Sequence, residues 1–292
     1  MKIKYTWNEV QEILRLAQDE YDVVRLINPV LRRVCSKADN KETPEICGTI
    51  WGRCDRCENC TSVRALQSHR NAYKIEFVNN KVYFIVSRYI EIDGTPRIME
   101  LVADVTEDFV AETDQKDKIA QFITSHNDML VTDSLTRLYN RRFLDEHFVP
   151  SLACCHELHL VVNVAILDID DFKLTNDQYG HQAGDYLLKD IAMFWRLHFN
   201  SREKNNERLV IRYGGDEIVI VGCGLSGTDF KKTIAEYYEE MRKVCYYKDE
   251  IHFKFGISFG VASSEELPPA TWKWEQLFDL ADQRLYENKK TK

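Results

Sequence analysis

No apolar run in this sequence comes near the ~20 residues that cross a bilayer, so no membrane-spanning helix and no membrane partner are expected. A surplus of positive charge is missing too. The formal net charge is −8, with 47 Asp and Glu against 39 Lys and Arg. That excludes a general nucleic-acid-binding surface, which needs clustered cations. The opening residues MKIKYTWNEVQEILRLAQDEY turn polar and acidic too early for an export leader, and a cytoplasmic chain is the expectation. Internal repeats and low-complexity tracts are also lacking, which excludes a repeat array.

What is present suits two ordinary domains: 292 residues, of which 44% are apolar. The nine cysteines are unevenly placed. Cys154, Cys155, Cys223 and Cys245 are scattered and read as small core residues. Five others fall between Cys35 and Cys60. Within CGTIWGRCDRCENC, Cys54, Cys57 and Cys60 make two overlapping C-x-x-C units, with Cys47 upstream. In a reducing compartment that spacing suits a tetrahedral thiolate site for Zn2+ or an iron–sulfur cluster. A loop of reduced, redox-reactive thiols is the alternative. Cys35 and His69 are spare candidates, and His69 alone reads as a surface residue.

Residues 6–20 predict a helix with Val10, Ile13, Leu14 and Ala17 on one face and a Thr6–Glu9 capping box. Over 73–106, YKIEFV, KVYFIVSRYI and RIMELVADV alternate as strands, with turns at Asn79-Asn80 and Asp93-Gly94. Helical or irregular material precedes them. Residues 107–132 lack Gly and Pro and are charged. There Ile119, Phe122, His126 and Met129 follow a 3-4-3 spacing that fits a short two-helix seam; a single amphipathic helix docked on its own domain is the alternative. From 133 the texture is mixed. LVVNVAIL (160–167) suits a buried strand. Residues 184–199 put Leu187, Leu188, Ile191 and Trp195 on one helical face. Further strands at LVIRY, EIVIV and FKFGISFGVA, and helices at 228–246 and 273–289, complete an α+β chain. The expected division is 1–106, a linker helix 107–132, and 133–292.

Asp168 and Asp170 fall where the buried strand ends, an edge where ligands bind in open sheets. Asp216 and Glu217 fall on the turn of RYGGDEIVIV. A solvated hairpin tip or a helix cap explains any one of these acids; a bound cation explains them together. Lys173 lies within reach of a phosphate. Asn176, and Asp185 at an expected helix start, can together match the N1–H, N2–H2 and O6 edge of guanine.

These residues resemble the GGDEF family, the diguanylate cyclases. The resemblance covers roughly 130–292 through DSLTRLYNRR, LDIDDFKLTNDQYGHQAGD, RYGGDEIVIV, SFGVA and ADQRLYENK, in order. It implies a palm-like sheet wrapped by helices that condenses two GTP into cyclic di-GMP and two pyrophosphates. It implies that Asp168, Asp216 and the Ile169 carbonyl hold Mg2+ (or Mn2+). Glu217 would assist the metal or activate the 3′-hydroxyl. Asn176 and Asp185 would read guanine, and Lys173 and Lys289 would contact phosphates. Gly214 and Gly215 would leave room for the nucleotide. Because one domain holds one GTP, it implies a catalytic homodimer. A GTP-binding module without turnover, acting through a partner, is the alternative. Three departures stand out. Ile218 replaces the family's Phe. Asn205, Asn206, Glu207 and Arg208 replace the Arg-x-x-Asp of product inhibition, so no inhibitory site is expected. The phosphate-binding Arg four residues beyond Lys289 falls past Lys292, so Lys290 or Lys292 substitutes or GTP affinity is lower. The strands of 73–107, ending Asp104-Val105-Thr106-Glu107, resemble a PAS-type sensor domain.

Overall fold

The computed structural model describes residues 2–52, 57, 59–109, 116–199, 201–203, 206–243, 246–248, 251–253, 255–268 and 272–291. They form two compact units: residues 1–131 with 145–151, and residues 132–144 with 152–292. Among the described residues, no helix is long and apolar enough to cross a membrane.

In the first unit, Thr6 starts helix α1 (Trp7–Ala17). Its hydroxyl accepts from the Glu9 N–H, and the Glu9 carboxylate accepts from the Thr6 N–H, satisfying two donors that a helix start leaves over. Val10 and Leu14, one turn apart, bury against one face of a seven-stranded sheet. Its strands are β1 (Lys4–Tyr5), β2 (Val23–Asn28), β3 (Arg33–Cys35), β4 (Glu42–Ile46), β5 (Ala72–Val78), β6 (Lys81–Ile92) and β7 (Thr95–Asp104). Asn79, Asn80, Asp93 and Gly94 all have positive φ, the conformation of two-residue hairpin turns that Asn, Asp and Gly tolerate. They fix the β5–β6 and β6–β7 registers. Alternation predicts strands only from 73 onward, yet four precede it, and β2 pairs with β7. Here β3 has three residues and β4 carries Pro44, so neither shows alternation.

The opposite face of this sheet carries a buried polar row between apolar clusters around Ile27, Tyr89 and Ile98 and around Ile85 and Val102. Arg25, Glu100 and Ser87 form one row across β2, β7 and β6. The Arg25 Nε donates to Glu100 at 2.7 Å, and its Nη2 donates to the Cys47 carbonyl at 2.8 Å. The buried Lys74 ammonium stands 2.6 Å from Glu76. Helix α2 (Thr61–Ser68) packs on β6 from this side, and its Ser62 hydroxyl donates to Glu100.

Within 107–132 the described parts are α3 (Thr106–Phe109) and α4 (Lys116–Val131); residues 110–115 lie outside the described residues. On α4, Ile123 is buried and Asn127 donates to the Ile75 carbonyl of β5 at 3.1 Å. Phe122 and Met129 are exposed. The helix thus has one docked face and one open face. The side chains of Ile119 and His126 lie outside the description.

The second unit runs β8 (Tyr139–Asn140), α5 (Arg141–Phe143), α6 (Leu152–Glu157), β9 (Val162–Ile169), α7 (Phe172–Tyr179), α8 (His181–Phe199), β10 (Ser201–Glu203), β11 (Asn206–Arg212), β12 (Glu217–Cys223), α9 (Gly227–Lys243), β13 (Tyr246–Lys248), β14 (Ile251–Phe253), β15 (Ile257–Ser263) and α10 (Trp274–Lys290). The order β10-β11-β12-β9-β15 is antiparallel throughout, with β8 joining β11 in parallel. Every residue of β9 is buried, as its near-continuous apolar run predicts. Its two faces differ. Ala165, Leu167 and Ile169 join Ile218, Ile220 and Ile257 in a core with Leu187, Leu188, Ile191 and Trp195 of α8 and Phe230 of α9. Helix α10 lies on the other face, directly on the backbone of β15. A Cβ at Gly260 would stand 2.0 Å from the Ala281 carbonyl oxygen. The Phe259 N–H donates to Asn288 at 3.3 Å, and Arg284 donates to the Val261 carbonyl at 2.6 Å, which pins the helix there.

Candidate active site

Register makes the acids neighbours. Glu217 at the start of β12 pairs with Asp168 near the end of β9, and Asp168 pairs with Ser258 of β15. Directly opposed residues share a sheet face, here the face under α10. That helix delivers Lys289, whose Nζ stands 2.7 Å from Asp168 Oδ1. Asp282 lies seven residues earlier on α10, on the same side of the helix.

The electrostatics of this cluster are unbalanced. Burial pushes the Asp216 carboxyl above its ordinary range, and the Asp168 charge pushes it further. Burial raises Glu217 too, followed by the charges of Asp168, Asp216 and Asp282. Lys289 acts on both in the opposite direction. Four carboxylates face the Lys289 ammonium and the Arg212 guanidinium, which also pulls Asp216 down; negative charge is in surplus, and oxygen donors in excess suit a hard divalent cation. The ammonium on Asp168 stands where such a cation would neutralise it. Mg2+ or Mn2+ therefore fits Asp168 and Asp216, with the Ile169 carbonyl as the third expected ligand. Among the described residues, no group of three or more His, Cys, Asp or Glu side chains is arranged as a metal cage.

The turn is braced from outside. Arg212 donates to the Gly215 carbonyl through Nε (3.1 Å) and Nη2 (2.7 Å), and through Nη1 to Asp133 at 2.9 Å. Asp133 also accepts from the Thr136 N–H and hydroxyl. Two of the sequence motifs are therefore joined by one guanidinium. The two glycines differ from expectation. A Cβ at Gly214 would meet the Glu217 carboxylate at 2.8 Å, whereas one at Gly215 would meet nothing within 4 Å. Room at Gly214 serves the protein's own acid; only Gly215 opens outward. Ile218, in the Phe position, is buried in the core.

Residues 130–292, more than half of the chain, match the family model described as diguanylate cyclase, GGDEF domain. The chain belongs to the GGDEF family. It is 28% identical over 197 residues to the diguanylate cyclase DgcP of Escherichia coli K12, covering 66% of this chain and 55% of that one. It is 30% identical over 160 residues to DgcS of Shewanella oneidensis, covering 54% and 49%. It thus spans about half the length of these curated relatives. Among solved structures, the coiled coil and GGDEF domain of DgcB from Caulobacter crescentus in complex with c-di-GMP matches with a TM-score of 0.54 at 23% identity, covering 64% of this chain and 95% of that one. That likeness supports the GGDEF fold.

The candidate guanine readers lie on the α7–α8 hairpin of this GGDEF domain. A Cβ at Gly184 would stand 1.9 Å from Asn176 Oδ1, so the Asn176 amide rests on the glycine next to Asp185. Asp185 departs from expectation in one respect. Helix α8 begins at His181, so Asp185 is exposed in its second turn and caps nothing. Lys173 is exposed in the first turn of α7. In the product-inhibition position, Asn205 lies outside the described residues, and the Arg208 guanidinium stands 5.6 Å over the Phe199 ring.

Cys47, Cys57 and Cys60 line one small cavity of about 20 Å3, with Arg32 and Ser62. Burial, then the neighbouring Cys60, Glu100 and Cys57, push the Cys47 thiol up to about 12. The described thiols form no ligand cage, and Cys54 lies outside the described residues, so the expected four-cysteine set is not assembled among them. Cys35, Cys155 and Cys223 are buried; the side chain of Cys154 and all of Cys245 lie outside the description. His69 is exposed and packs against Tyr89 with the two rings tilted by 51°. Sequence reasoning missed Asp282 and Gly260. Both sit inside the quoted motifs ADQRLYENK and SFGVA, which was the available signal.

Proposed function

We propose that this protein is an active diguanylate cyclase, condensing two GTP into cyclic di-GMP with release of two pyrophosphates. The observation that supports it most is the meeting of Asp168, Asp216 and Glu217 under Lys289 at one sheet edge, within a GGDEF domain. Asn176 and Asp185 would accept from and donate to the guanine edge. Lys173 and Lys289 would draw the triphosphate in by charge. Glu217, whose proton affinity is raised, is suited to take the 3′-hydroxyl proton. Divalent cations held by Asp168, Asp216 and the Ile169 carbonyl would offset charge on the attacked phosphate and lower the hydroxyl's pKa. Each domain supplies one nucleotide, so turnover needs two copies facing each other, and the exposed Phe122 and Met129 of α4 offer an apolar seam for pairing. With no Arg-x-x-Asp at 205–208, feedback by the product is weak.

The N-terminal unit is read as the regulator, a PAS-like sheet that hands its state to α4; the bond from Asn127 to β5 supports this. Zinc or an iron–sulfur cluster at Cys47, Cys54, Cys57 and Cys60 is read from the cysteine spacing, with Cys47, Cys57 and Cys60 lining one cavity; metal analysis with a visible spectrum of anaerobically purified protein tests it. The activity is tested by incubation with GTP and Mg2+. Appearance of cyclic di-GMP supports turnover; GTP binding without product supports a signalling module instead.

A further inference from the structure

The ion pair between Lys289 and Asp168 presents a conflict. Asp168 is the carboxylate best placed for a divalent cation, with its side chain only 12% exposed, yet its Oδ1 is held by an ammonium at 2.7 Å. A cation bound at the usual ~2.1 Å from a carboxylate oxygen would bring like charge against that ammonium. The helix that carries Lys289 cannot retreat easily, because its backbone lies on Gly260 and is pinned through Asn288 and Arg284. The lysine side chain can move alone, since it stands at the mouth of the site, 41% exposed on a four-carbon stem.

We propose that Lys289 is an exchangeable counter-ion. In the nucleotide-free protein it neutralises Asp168 and competes with divalent cations. When a nucleoside triphosphate arrives, the ammonium transfers to phosphate oxygens and Asp168 is released for the metal. Nucleotide and cation then bind with positive coupling, and by linkage each strengthens the other by the same factor. This rests on the nucleotide-binding reading of the site, but not on turnover.

The test uses the full chain and Mn2+ as the probe, with free Mn2+ counted by paramagnetic resonance. Measurements are made without nucleotide and with a GTP analogue whose α–β bridge cannot be cleaved. Lys289→Met should bind Mn2+ about tenfold more tightly than the parent without nucleotide, within the range usual for coupled sites, and the analogue, whose phosphates ligate Mn2+ directly in both proteins, should strengthen binding about tenfold less than it does in the parent. Lys289→Arg keeps the charge and should bind Mn2+ as weakly as the parent, which separates charge from folding. Unchanged or weaker Mn2+ binding in Lys289→Met, or coupling as strong as the parent's, overturns the proposal. Absence of cyclic dinucleotide in a separate assay would count against the cyclase reading and leave this result standing.

Discussion

The two sheets of this protein both bury charge, and they do so in opposite ways. In the N-terminal sheet each buried cation has its own acid, Arg25 with Glu100 and Lys74 with Glu76. In the C-terminal sheet the buried Asp168 and the half-buried Asp216 and Glu217 crowd together, with the exposed Lys289 of α10 on Asp168 and the exposed Asp282 acting on Glu217. Paired charges hold a fold and ask for nothing further. Crowded like charges raise proton affinity and destabilise the ligand-free state, which is tolerated where something positive must bind. The same residue types therefore read as structure in one sheet and as a site in the other.

The largest expected effect lies on the crowded side. Asp216→Asn should lower the cyclase rate by at least about a thousandfold, as loss of a metal carboxylate does, while relieving repulsion. Its melting temperature should rise by roughly 1–3 °C, a fraction of what 1 kcal/mol gives a domain of this size. A fall in melting temperature would make Asp216 a structural acid and break the contrast. On the paired side, Glu100→Ala should behave the other way. It leaves Arg25 buried and costs about 3–5 kcal/mol of stability, read by chemical denaturation. Next comes Gly260→Ala. Its new methyl meets the α10 backbone, and a displaced helix carries Lys289 and Asp282 off the carboxylates. We expect about 1–3 kcal/mol lost to overpacking, with activity falling further than stability explains.

A smaller effect is the pH dependence. Raised proton affinity at Asp216 and Glu217 means that the folded protein keeps protons the unfolded chain has already released. Their contribution to stability is full below the ordinary carboxylate range near ~4 and is lost as pH rises through the raised values. Divalent-cation binding turns on over the same interval. Carboxylates held low by partners, such as Asp133 and Glu266, act with the opposite sign, so the readout is a difference: the melting temperature of the parent minus that of the double variant Asp216→Asn, Glu217→Gln should fall as pH rises.

Much of the C-terminal unit was legible because each motif carries its own physics. An apolar run broken only by Asn163 and ending in Asp168 suited a buried strand with an acid at its end. Asn79-Asn80 and Asp93-Gly94 announced hairpins for the same reason in the first unit. What was not legible depends on distant partners. Nothing local says that Gly260 is needed for the close approach of a helix twenty residues on, or that Arg212 reaches back to Asp133. Asp185 was expected at a helix start, whereas α8 starts four residues earlier, straight after Gly180. In the first unit β1 and β3 were hidden by their shortness and β4 by its Pro44.

The central claim is that the crowded carboxylates serve nucleotide condensation by two copies of this chain. The most direct measurement is cyclic di-GMP formation from GTP and Mg2+ across a range of protein concentrations. The account predicts a product whose rate per protein chain climbs with concentration and then levels off as pairs form. No cyclic di-GMP at any concentration, even when two copies are forced together, would contradict it.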